Sequence, residues 1–198
     1  AYKECLEAVR PAFESSPYSG IAGCMKNSGI GVGLPDIGRC DLAVEGGAVH
    51  IRTSAACMGQ GIGTVATHIV CTAAGLRPEA LVFERADTAL TPDSGTSTAS
   101  RQTLFMGEAA RRAGLALRAA LAEAGSLAAL EGRVFHGEYS GVTDPMGSEK
   151  PNPVSHVAYG YGAQVVVMDE HKRVQKVVAA HDVGRVINPR SCEGQIEG

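Results

Sequence analysis

The sequence has 198 residues, 25 of them glycine and 9 proline, with 44% hydrophobic and 20% charged residues and a net charge of −3. Its apolar content excludes a disordered chain, and its aperiodic glycine, about 13% against a usual share of roughly 7%, excludes collagen. No run approaches the roughly 20 apolar residues of a membrane helix, and the absence of a basic block speaks against nucleic acid as the main partner.

Ala1 to Arg10 reads as a helix already under way, with Leu6 and Val9 on its apolar side. There is no initiator Met, basic n-region or apolar h-region, so this is no signal peptide. With an equally abrupt end at Gln195-Ile196-Glu197-Gly198, the chain is expected to be a piece of a longer one. Residues 19 to 35 are glycine-rich. Gly29, Gly31 and Gly33 alternate with Ile30 and Val32, which predicts a strand lying close to other backbone. Asp41 to Val44, Gly46-Gly47 and Val49 to Thr53 predict a hairpin. Apolar residues at helical spacing predict a helix over 60–75, capped by Gly75. Leu81-Val82-Phe83 predicts a short strand, and residues 87–100 a polar loop. Residues 102–124 form the longest predicted helix, with Met106, Ala110, Ala113, Leu117 and Leu121 in one stripe. Residues 131–162, with three prolines, read as a long loop. Gln164 to Met168 and Val174 to Ala180 predict two closing strands.

The order is ββαβα over 20–130, the loop, then closing strands and the start of a further motif over 163–198. It indicates an α+β, two-layer domain: a mixed β-sheet with helices packed on one face. The order is not strictly alternating, which disfavours a Rossmann fold.

The six cysteines show no pair separated by two residues, so no zinc or iron–sulfur ligand pair is visible. They read as reduced thiols of a cytoplasmic protein. The six histidines are scattered, without HxxxH spacing.

Three segments carry candidate chemistry. Met58-Gly59-Gln60-Gly61 lies between a strand and a helix, where backbone N–H groups and the helix dipole favour an anion. Gln60 adds an amide that both donates and accepts; the bland reading is a tight turn. Thr91 to Ser100 holds six Ser or Thr residues and leads into Arg101 at a helix start. Arg opposes the dipole there unless an anion is present, so this loop is read as a second anion site rather than a simple cap. Two such loops suggest an extended ligand with more than one phosphate or polar group. The third segment is His181-Asp182-Val183-Gly184-Arg185 through Asn188-Pro189 to Gln195. Its His and Asp are strand neighbours pointing to opposite faces, so they do not form an acid–base pair. Asp182, Arg185 and Asn188 read as knitting a turn.

In series, these words resemble the molybdenum-cofactor-binding subunit of the xanthine dehydrogenase and aldehyde oxidase family of molybdenum hydroxylases. The matching words are Met58-Gly59-Gln60-Gly61 with Thr64, Asp87-Thr88 with Pro92 leading to Ala99-Ser100-Arg101-Gln102-Thr103, and Ala180 through Asn188-Pro189 to Gly198. They span the chain from about Gly20 to its end. The resemblance implies an α+β cofactor domain and a molybdenum-bearing molybdopterin, in some members extended to the cytosine dinucleotide. It implies hydroxylation of a purine (xanthine or hypoxanthine type) or an aldehyde, with water as oxygen source. The implied cofactor-binding residues are Met58, Gly59, Gln60, Gly61, Thr64, Ala99, Ser100, Arg101, Gln102 and Gln195. None is a metal ligand or catalytic residue. The family's catalytic Glu is expected beyond Gly198, so these 198 residues alone are expected to be inactive and to retain little cofactor. Iron–sulfur clusters and FAD are expected on other domains or subunits. Cys57 before Met58, and Arg101-Gln102, look more like bacterial members, including purine hydroxylases. Two rivals use the same residues: a non-catalytic nucleotide-binding or assembly module, and a homologue that has lost activity.

Overall fold

The computed structural model describes all 198 residues. They form two compact units, one of residues 28–157 and 187–191, the other of residues 1–27, 158–186 and 192–198.

The larger unit is built on a mixed four-stranded sheet ordered β4-β3-β2-β5, with β2 Asp36–Glu45, β3 Ala48–Arg52, β4 Leu81–Phe83 and β5 Val134–Gly141. β2 pairs antiparallel with β3 and β5, whereas β3 and β4 run parallel, joined by helix α2, Ile62–Ala74. The long helix α3 spans Gln102–Ala124, as its alanine-rich stripe predicts. Met106, Ala110, Ala113 and Leu117 are fully buried against Cys40, Leu42 and Val44 of β2. Period-2 alternation thus sends one side of the sheet to the helices. The other side carries ion pairs such as Arg39–Glu138 and Asp41–His136. Burial pushes the Cys40 thiol up to about 12, with the Asp41 charge adding to the effect.

Two sequence expectations fail here. Residues 131–162 are not one loop: β5 crosses them, and another strand begins at Ala158. Pro145, Pro151 and Pro153, which suggest the loop, all lie between β5 and that strand, and glycines in β2 and β5 let α3 lie close on the sheet. A Cβ on Gly38 would lie 2.5 Å from the Met106 nitrogen, and one on Gly137 2.9 Å from the Ala113 nitrogen, closer than real Cβ atoms approach. Residues 29–33 are not a strand. Gly29, Gly31, Val32 and Gly33 all have positive φ, which a pleated strand does not accommodate. The expected close backbone approach is nevertheless present. Val32 N–H donates to the Ser155 carbonyl at 2.8 Å, and Gly33 packs on Pro145.

The smaller unit is a three-stranded sheet ordered β1-β6-β7, with β1 Ser19–Ser28, β6 Ala158–Met168 and β7 Val174–Asp182. Helix α1, Tyr2–Glu14, places Cys5 and Val9 against Ala163 and Val165. The closing strands therefore belong to this sheet, not to the four-stranded one. Residues 183–188 stay non-helical, as the turn read from the sequence requires, and helix α4, Pro189–Glu197, follows them. No helix is long and apolar enough to cross a membrane.

Candidate functional site

The site grows from the loop between β3 and α2. Thr53 is buried at its start, and its hydroxyl donates to the Arg39 carbonyl at 2.9 Å. Gln60 turns its amide inward: Nε2 donates to Ala56 O at 2.8 Å, and Oε1 accepts Met58 N–H at 2.6 Å. Its side chain thus closes the loop on itself. Gly61 caps α2 with φ 77°, while Met58 and Thr64 are exposed. Backbone N–H groups of Gly59, foremost, then of Ile62 and Gly61, face the Cys57 sulfur and hold its pKa below the ordinary thiol value.

The second loop is stitched to the first. Ser54 N–H donates to Pro92 O at 3.1 Å, Ser94 N–H to Ser54 Oγ at 2.6 Å, and Ser97 Oγ to Ala56 O at 3.0 Å. Two segments about 40 residues apart thereby form one surface at the starts of α2 and α3. Ala99 and Ser100 are both left-handed, at φ 49° and 51°. Such backbone costs energy without glycine and clusters at functional sites.

Arg101 corrects one expectation. It is 1% exposed, and its Nε meets the Asp36 carboxylate at 2.5 Å. Its other donors reach the carbonyls of Ser94, Thr96 and Ile37. The anion that satisfies this helix-start cation is therefore a carboxylate of the protein, and its side chain is not free for a phosphate. Gln102, 6% exposed, donates from Nε2 to the carbonyls of Ser94, Gly95 and Thr96. Its Oε1 is a buried acceptor without a donor.

Part of the third segment also lies in this unit. His68 Nδ1 is 3.3 Å from Ile187 O, Asn188 Oδ1 accepts Ser191 N–H at 3.3 Å, and Ser191 lies beside Gly61. Asp182, in the smaller unit, accepts Gly184 N–H at 3.0 Å. Gln195 is exposed on α4 in the smaller unit. Sequence reasoning missed Asp36 and Ser54. Nothing in the strand's pattern singled out the first, because β2 also carries Arg39, Asp41 and Glu45. Elsewhere, Glu45, His50 and Glu84 bring three potential ligand atoms within 4.8 Å of one another. Arg52 already bridges both carboxylates, with Nη2 at 2.7 Å from Glu45 and Nε at 2.7 Å from Glu84.

The larger unit is thus a two-layer α+β domain with two stitched helix-start loops. The family model of the molybdopterin cofactor-binding domain matches residues 14–142 and 127–198, and the chain belongs to that family. It is 29% identical over 202 residues to the 6-hydroxypseudooxynicotine dehydrogenase complex subunit gamma of Paenarthrobacter nicotinovorans, covering 85% of this chain and 25% of that one. The aldehyde oxidoreductase of Desulfovibrio desulfuricans superposes over 98% of this chain and 24% of its own, with a TM-score of 0.77 and 22% identity. That of Desulfovibrio gigas does so with a TM-score of 0.66 and 26% identity, again over 98% and 24%. The CO dehydrogenase of Oligotropha carboxidovorans shares the fold at 18% identity and a TM-score of 0.65, over 98% and 30%. The chain thus spans about a quarter of the length of its curated relative.

Proposed function

We propose that this chain forms part of the cofactor cleft of a molybdenum hydroxylase that oxidises a purine or an aldehyde with water as oxygen source. The carrying observation is the stitched pair of loops at 54–61 and 91–102. The residues fit a pterin bearing phosphate. Gln102 Oε1 is a buried acceptor to which a pterin N–H can donate, and the N–H groups around Gly59–Gly61 that lower the Cys57 pKa also suit a phosphate.

When bound, molybdopterin supplies a metal centre for two-electron oxidation. The chain's own residues bind and orient it. Gly59, Gly61 and Thr64 hold phosphate at the start of α2, and Met58 lies over the loop. Gln60 fixes that loop's shape through its bonds to Ala56 and Met58. Ala99 and Ser100 present peptide groups, Arg101 holds them in place, and Gln102 contacts the pterin. A surface built from two helix starts suits the cytosine dinucleotide form, which carries two phosphates. The catalytic Glu, the iron–sulfur clusters and FAD belong to other parts or subunits of the enzyme. A complex-forming relative supports that arrangement. Six free thiols favour a cytoplasmic location, and the bacterial relatives a bacterial enzyme.

The test is metal and pterin analysis of the full-length enzyme purified with its partner subunits, followed by assay with xanthine and an aromatic aldehyde in labelled water. About one molybdenum and one pterin per chain are expected; absence of both sinks the reading. Gln60→Ala should lower cofactor content more than folding stability. Equal losses would reject a specific contact.

A further inference from the structure

Asp36 opens β2, is 4% exposed, and lies in none of the three candidate segments. Its carboxylate accepts from two directions: Oδ1 takes Arg101 Nε at 2.5 Å, and Oδ2 takes Ile30 N–H at 2.7 Å. Arg101 spends its remaining donors on the carbonyls of Ser94, Thr96 and Ile37, and its guanidinium lies 5.1 Å from the Phe105 ring centroid. Gly29 N–H donates to Ala99 O at 3.0 Å. One ion pair therefore ties the 29–30 turn, the start of β2, the 94–96 loop and the start of α3 together. Between Thr96 and Arg101 stand the left-handed residues Ala99 and Ser100. Non-glycine residues persist in that region only where their surroundings over-determine them. Here the surroundings are the Asp36–Arg101 pair.

We propose that Asp36 is a positioning residue for cofactor binding: acting through Arg101, it holds the Ala99–Ser100 peptides in the left-handed turn that faces the molybdopterin. The proposal rests on the cofactor reading above. The chemistry selects these residue types. A carboxylate accepts from both Arg101 and Ile30, whereas Asn presents its NH₂ to one of those donors. The planar guanidinium reaches acceptors in several fixed directions, which an ammonium does not.

The test uses Asp36→Asn in the full-length enzyme with its partner subunits. It reads amide hydrogen exchange and the molybdenum and pterin content against wild type. Peptides covering 94–101 are expected to exchange at least tenfold faster, those within 106–117 of α3 to stay within twofold, and cofactor content to fall at least fivefold. Arg101→Lys, which keeps the charge and loses the fork, should do the same, and it carries both readings if Asp36→Asn does not fold. A loosened loop with full cofactor content overturns the proposal. So does no change in loop exchange. Equal acceleration across loop and helix, or failure of both variants to fold, overturns it as well, because the pair would then support the fold in general. Wild-type enzyme lacking molybdenum and pterin overturns the cofactor reading itself, and with it the purpose assigned to Asp36. The exchange pattern would still report whether the pair holds the loop.

Discussion

The seat of α3 on the sheet can be tested by one methyl group. In Gly137→Ala the new Cβ would fall 2.9 Å from both the Ala109 carbonyl carbon and the Ala113 nitrogen, and closer still to the Ala109 oxygen. All are backbone atoms of a helix, so no side chain can rotate away. Ordinary carbon contacts lie at about 3.5–4.0 Å, so the helix must retreat by roughly 1 Å. Such a gap forfeits about a quarter to a half of each attraction it opens. Phe105, Met106, Ala109, Ala113 and Leu117 all share that interface, and each is 1% exposed or less. The expected loss is about 3 kcal/mol, the upper end of the range for overpacking. Hydrogen exchange of α3 amides reads it locally: at 1.4 kcal/mol per decade, protection should fall by roughly two orders of magnitude. Urea unfolding should shift by about 1.5 M for a slope near 2 kcal/mol per M. Gly20→Ala, with nothing within 4 Å of the new Cβ, serves as the control and should stay within about 0.5 kcal/mol. A Gly137→Ala protein as protected as the control would refute the tight seat.

Two further outcomes follow from charge. Cys57, exposed and held below the ordinary thiol pKa by the N–H groups of Gly59 and its neighbours, should alkylate with iodoacetamide well before Cys71, whose pKa burial raises, and Cys40, pushed up to about 12. Mass mapping at pH 7 and 8 checks this; simultaneous labelling of all three contradicts it. Arg52 hydrogen-bonds to Glu84 and Glu45 and holds both carboxylates below their usual range. A depressed carboxylate pKa contributes stability that is present above the unfolded value, near 4.3, and is lost as pH falls through the folded value. Arg52→Gln should therefore destabilise at pH 7, and its deficit against wild type should shrink below about pH 4. Urea midpoints across pH 3–8 measure this, and a deficit constant with pH would rule the linkage out.

Much of the frame was legible because it rests on local periodicity. The 102–124 helix and the 81–83 strand have their expected bounds, and Gly75 caps α2 in the left-handed conformation. Legibility failed where glycine served packing between distant segments. Gly137 falls in a stretch read as loop from its prolines, yet it lies in a strand beneath α3. Gly31 and Gly33 read as strand residues, yet they turn the chain against Ser155 and Pro145. At the site, the two loops could be named from hydroxyl and glycine content. Their stitching could not, because Ser54 and Ser94 are 40 residues apart. Arg101 looked like half of an anion site because its partner, Asp36, lies 65 residues away. Sequence shows that a cation needs a partner; only the fold shows that the protein already provides one.

The inward turn of the Gln60 amide has a kinetic consequence. A flexible loop must lose backbone freedom as its ligand arrives, at roughly 1–2 kcal/mol per residue ordered. Here the bonds from Gln60 to Ala56 and Met58 make that ordering part of folding itself. Under the proposed function, capture of the cofactor then carries little further entropy cost. Such a loop acts as a mould set beforehand, so its influence falls on how slowly a bound group escapes. Loosening it should show first as a shorter residence time, with the encounter rate hardly altered.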